Sequence, residues 1–160
     1  MGPEQVLIVG AGFSRYAGLP LQSGFTKELL RAADFKKGPS KRVVDFLNKF
    51  VGRAFNGESN QWPELEDLFT CFDLSANTGH HLGLKHDPSF LRTVRRALIS
   101  RMIRRLWKSY EDARKKPGTD WNKLDSLLRR IDLKTTAFLS LNWDTVIEQR
   151  MMEINGSLHP

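Results

Sequence analysis

Gln5-Val6-Leu7-Ile8-Val9-Gly10-Ala11-Gly12-Phe13-Ser14 decides the fold class. The first five residues form a short β-branched apolar run without the alternation of a half-exposed strand. They predict a buried strand of a parallel sheet, ended by Gly10. A second run of this kind, Thr135–Leu141, predicts its partner. Between the two, the spacing predicts helices over 25–34, 40–55, 64–73, 89–114 and from Thr119 or Asp120 to about Ile131, with a last helix over 145–154. In the second of these Ser40 is the expected cap, and Val43, Val44, Leu47, Phe50 and Val51 the buried stripe. The expected fold is therefore α/β with a large helical insertion, 34–132, between the first strand and the strand that leads into Asn142. Two strands do not complete a doubly wound sheet. Residues 1–160 are thus expected to be the N-terminal part of one domain, its sheet finished by later residues or by another chain.

Composition narrows the function classes. The 160 residues carry 25 Lys and Arg against 18 Asp and Glu, a net charge of +7. The charge is local: residues 92–116 alone amount to +8 and the rest of the chain to −1, so a polyanionic partner would concern one helix. A solvated helix face is the plainer expectation for it, with nucleic acid or an acidic subunit as the alternative. No apolar run approaches the roughly 20 residues of a membrane span. The N-terminus resembles neither a secretory signal nor, with Val6 at the critical position, a myristoylation site. The single cysteine, Cys71, excludes internal disulfides, fits a reducing cytoplasm and lies where a core residue is expected. His80, His81 and His86 have no metal-ligand spacing and are expected to be loop histidines. Trp62, Trp107 and Trp121 are expected in the core.

Two motifs carry chemistry. Gly10-Ala11-Gly12-Phe13-Ser14-Arg15-Tyr16-Ala17-Gly18-Leu19-Pro20 follows the first strand directly. Glycines at 10 and 12 let backbone N–H groups approach a pyrophosphate, and Ser14 adds a hydroxyl. Arg15 occupies the place where the dehydrogenase fingerprint requires Gly or Ala, so this loop cradles phosphate in another way. Ser140-Leu141-Asn142-Trp143-Asp144 closes the second strand. Ligands of open parallel sheets bind outside the carboxyl ends of the strands, so both motifs are expected to face one crevice. Asn142 suits a ribose hydroxyl or a held water. Asp144 suits an amide donor, and both residues also suit capping of the helix that follows.

Taken together the motifs resemble the SIR2-like, sirtuin-related family. Gly10, Ala11, Gly12, Ser14, Ala17, Gly18, Leu19 and Pro20 match its first motif. Asn142 and Asp144 match its second, with Ser140 standing for Thr and Trp143 at the aromatic position. The segment Trp62–Phe69 also looks like the acidic-apolar helix that bacterial SIR2-like proteins carry between the motifs. The resemblance implies a Rossmann-like sheet of SIR2 type and NAD+ as substrate or ligand. It implies that Gly10, Ala11, Gly12, Phe13, Ser14, Ala17, Gly18 and Pro20 form the cofactor-binding loop, with Ala11, Gly12 and Ser14 at the phosphates and adjoining ribose. Asn142 would reach the nicotinamide ribose, and Asp144 would fix the nicotinamide side. The family's general base is a downstream histidine. His159 lies 17 residues after Asn142 but lacks the glycine expected after it, and the alternative is a base in later sequence. Leu141 stands where classical sirtuins carry Gln.

The long helical spacer resembles that of bacterial SIR2-like NAD hydrolases of defence systems more than that of compact deacylases. The expected reaction is cleavage of the nicotinamide–ribose bond to nicotinamide and ADP-ribose. An NAD-dependent deacylase is the alternative within the family. A non-catalytic module that binds NAD or docks nucleic acid or a subunit is the alternative outside it, and the partners expected beside NAD+ are a second copy of the chain or a fused or associated effector subunit. No metal is expected.

Overall fold

The computed structural model describes residues 2–21, 24–31, 39–55, 62–78, 86–116 and 121–156. In chain order the elements are β1 (Gln5–Val9), α1 (Ala11–Ser14) running into a 3-10 turn (Arg15–Ala17), and α2 (Phe25–Arg31). They continue with α3 (Pro39–Ala54), α4 (Leu65–Thr78), α5 (Pro88–Lys115), α6 (Trp121–Arg130), β2 (Thr136–Ser140) and α7 (Val146–Asn155). The protein is mostly helical with a small two-stranded parallel sheet, within the α/β class expected.

β1 and β2 pair in parallel, with Gln5 opposite Thr136 and Val9 opposite Ser140. The Leu141 amide donates to the Val9 carbonyl at 2.9 Å, which carries the pairing to the edge of both motifs. This register sets Leu7 and Val9 on the same face as Phe138 and Ser140. Val6, Ile8 and Leu139 point to the other. Val9 is buried, but Val6 and Ile8 are 61% and 62% exposed, and Leu139 and Leu141 are exposed as well. The expectation of a strand buried on both faces is corrected: among the described residues only one face is covered.

The chain forms two compact units, Met1–Leu21 with Arg105–Pro160, and Gln22–Arg104. In the first, Ala17, Leu19, Leu106, Tyr110, Ala113, Leu124, Leu128, Val146, Ile147 and Met151 are buried. Gly18 adopts φ +74°, and a Cβ there would stand 3.7 Å from the Ala113 methyl, so the turn needs glycine for its backbone. α7 is tied to its neighbours by charge. Arg150 donates from Nε and from its guanidinium to the two Asp125 oxygens at 3.0 and 2.5 Å, and it also pairs with Glu153. The Tyr110 hydroxyl donates to Glu153 at 3.2 Å, and Trp121 lies under the Arg150 guanidinium at 4.8 Å.

The second unit is helical. Its α3 stripe is Val43, Phe46, Leu47 and Val51, with Val44 and Phe50 partly exposed; the stripe thus turns toward Phe46 relative to the expectation. Phe46 explains the rotation. Its ring meets Phe90 at 5.2 Å, His86 at 4.5 Å and Phe72 at 6.1 Å, an aromatic cluster that makes His86 a packing residue. Burial pushes the Cys71 thiol above its ordinary range, and nearby Asp67 adds to the shift. Trp107 departs from expectation. It is 52% exposed, because α5 turns Leu106 and Tyr110 inward and leaves Ile103 and Trp107 along the exposed flank of that stripe. His80, His81, Thr119, Asp120 and His159 lie outside the described residues.

Candidate functional site

The parallel register brings the two motifs together, because each begins where its strand ends. After Val9, Gly10 remains extended at φ −123° and the chain enters α1 at once, the Phe13 amide donating to the Gly10 carbonyl at 2.9 Å. The turn ends as the Gly18 amide donates to Arg15 and the Leu19 amide to the Ser14 carbonyl. This tight path buries Ser14, at 1% exposure, and Ala17, while Gly10, Ala11 and Gly12 stay exposed.

Gly10 and Gly12 are informative by what surrounds them. Neither has a positive φ, and a Cβ added at either meets nothing within 4 Å. Neither backbone strain nor packing among the described residues requires glycine there. Open space beside two glycines at a strand end is what a closely approaching ligand would use.

Ser14 links the motifs. Its Oγ donates to Asp144 Oδ1 at 2.8 Å, and Asn142 Nδ2 donates to Ser14 Oγ at 3.0 Å. The same Asp144 oxygen accepts from the Val146 amide at 3.1 Å, so Asp144 also serves the first turn of α7. Asn142 is steadied by its own amide, which donates to Ser140 Oγ at 3.3 Å. Its Oδ1 is buried and accepts from no described residue. A buried amide oxygen without a partner is costly, by about 1–3 kcal/mol, and marks a place where an external donor fits.

Of the residues singled out from sequence, Gly10, Ala11, Gly12, Phe13, Ser14, Asn142 and Asp144 gather at this strand end. Ala17 is buried, Gly18 shapes the turn and Pro20 lies beyond it. Leu141 and Trp143, 67% and 48% exposed, flank Asn142. Sequence alone does not reveal that Ser14 bonds to both Asn142 and Asp144. The 128 residues separating Ser14 from Asn142 hide the contact until the strands are paired. No group of three metal-ligating side chains occurs among the described residues.

The basic run lies along α5, and much of it is engaged. Arg95 pairs with Asp73 at 2.7 Å and lies over Phe69; Arg114 pairs with Glu111 and Glu153, and Lys115 with Glu111. Arg96, Arg104 and Lys108 are exposed, Arg104 donating to Ser100. No described helix is long and apolar enough to cross a membrane. In comparison with known proteins, no family model, no curated protein and no solved structure matches the chain.

Proposed function

We propose that the strand-end site binds NAD+ and that the protein hydrolyses its nicotinamide–ribose bond, in the manner of SIR2-like NAD hydrolases. The observation that carries this is the conjunction of open Gly10 and Gly12 with the Asn142 Oδ1 that has no partner among the described residues, at the carboxyl ends of two paired parallel strands. Exposed Gly10, Ala11 and Gly12 would take the pyrophosphate against the backbone, where a side chain would intrude. Asn142 Oδ1 would accept from a ribose hydroxyl. The bound dinucleotide supplies the scissile bond; the chain supplies orientation and fixed dipoles beside the sugar.

The test is incubation of the protein with NAD+ and chromatographic measurement of nicotinamide and ADP-ribose. Release by the native protein and its loss in Asn142→Ala, with the fold retained by circular dichroism, is the expected result. No release, or equal release by Asn142→Ala, would refute hydrolysis at this site. Adding an acyl-lysine peptide separates the deacylase alternative, in which nicotinamide release depends on the peptide.

One observation favours a second role, docking of a polyanion along α5: half-exposed Trp107 stands beside exposed Arg104 and Lys108. Single-stranded nucleic acid would then bind with steep salt dependence. The ion pairs of Arg95, Arg114 and Lys115 leave fewer cations for it than the sequence total suggests.

A further inference from the structure

Direction is built into the three side chains at the strand end. The Asp144 carboxylate can only accept, so the single Ser14 hydroxyl proton is committed to it at 2.8 Å. With that proton spent, Ser14 Oγ can only accept from its other neighbour. The Asn142 amide must therefore turn its NH2 group toward Ser14, and the 3.0 Å contact runs that way. The Asn142 oxygen is left facing away from the chain of bonds, buried and without a donor among the described residues. Were Asp144 absent, the Ser14 hydroxyl could rotate and donate to Asn142. The amide could then flip and present NH2 where it now presents oxygen.

We infer that Asp144 and Ser14 are positioning residues: they form a hydrogen-bond relay that locks the Asn142 carboxamide with its oxygen toward the ligand. The site then takes a hydrogen-bond donor at Asn142, a hydroxyl or an amide N–H, and discriminates against an acceptor. This inference rests on the NAD+ reading for the ligand's identity, but the relay is a property of the chain itself. Ser14 suits the task because it is 1% exposed and both its bonds are internal. Asp144 suits it because the Val146 amide holds the same oxygen in place. Neutral oxygen suffices for both bonds, so the relay needs an acceptor at position 144 and not a negative charge.

That last point separates a relay from direct ligand contact by the carboxylate. The experiment follows the Asn142 side-chain amide by 1H–15N NMR, its signal identified by its loss in Asn142→Ala, in the native protein and in Ser14→Ala, Asp144→Ala and Asp144→Asn. NAD+ affinity is measured by calorimetry on the same proteins. Ser14→Ala and Asp144→Ala are each expected to move the Asn142 NH2 resonances toward those of a free carboxamide, and to weaken NAD+ by about tenfold. Their combination is expected to weaken it little further, because both remove one relay. Asp144→Asn, which keeps the oxygen for Ser14 and Val146, is expected to retain the native resonances and an affinity within about threefold of the native protein. Asn142→Asp, which keeps an acceptor but cannot donate to Ser14, is expected to bind as poorly as Asn142→Ala.

Native Asn142 resonances in Ser14→Ala would overturn the relay. So would Asp144→Asn binding as weakly as Asp144→Ala, since the carboxylate charge would then meet the ligand directly. If the resonances respond as expected while NAD+ neither binds nor perturbs them, the relay holds and the proposed ligand is wrong.

Discussion

Single residues in this protein divide by whether the fold itself explains them. Gly18 is explained: its φ of +74° is left-handed, and Gly18→Ala is expected to lower stability by about 1 kcal/mol in chemical denaturation. Cys71 is explained too. Its thiol is raised by burial and by Asp67, so alkylation at pH 8 is expected to be several times slower in the native protein than in the unfolded chain. Equal rates would mean the thiol is free to react. Gly10, Gly12 and the Asn142 oxygen are not explained by anything among the described residues, and that is why they define the site. The residue types were legible in the sequence, since glycines after a strand and Asn-x-Asp after another have few uses. The inward turn of Ser14 was not, because hydroxyl contacts depend on how strands far apart in sequence are paired.

Among the elements, the strands carry the clearest test. β1 is apolar at every position from Val6 to Val9, yet Val9 is buried and Ile8 is 62% exposed. Val9→Ala is expected to cost about 1–2 kcal/mol, whereas Ile8→Thr is expected to cost under about 0.5 kcal/mol, both read from urea midpoints. A larger loss at Ile8 would show that the face carrying Val6, Ile8 and Leu139 is covered in solution. An unbroken apolar run predicts a strand but does not say how many of its faces are covered. The same limit applies to α5. Period 3.6 places Leu91, Val94, Leu98, Met102, Leu106 and Tyr110 inside, as found, but an amphipathic pattern with Ile103 and Trp107 beside it leaves the width of the buried stripe open. In α3 the aromatic cluster around Phe46 selects the buried face, and clustering of Phe46 with Phe72 and Phe90 from other helices is invisible to local spacing.

At the scale of the whole molecule, the unit that holds the site is pinned by the cluster of Tyr110, Asp125, Arg150 and Glu153. Burial and the neighbouring Glu153 carboxylate, to which it donates, push the Tyr110 hydroxyl up to about 12, partly opposed by Arg114 and Arg150. A group raised above its ordinary value of 10 stabilises the fold fully below pH 10. That contribution is lost as pH rises through 12. Tyr110→Phe is therefore expected to be less stable than the native protein at pH 8, with the difference shrinking between pH 10 and 12; a constant difference would contradict the assignment. The cluster holds α7, whose first amide secures Asp144, so the strand-end site depends on it for geometry. The central claim is that this site admits a dinucleotide against glycine backbone. Calorimetric titration of NAD+ into the native protein and into Gly12→Val tests it most directly, because a Cβ at position 12 meets no atom of the described residues within 4 Å and the substitution is expected to leave the melting temperature nearly unchanged. Saturable binding by the native protein, weakened by about tenfold or more in Gly12→Val, is the result this account requires. Equal binding by the two proteins, or none by the native one, would contradict it.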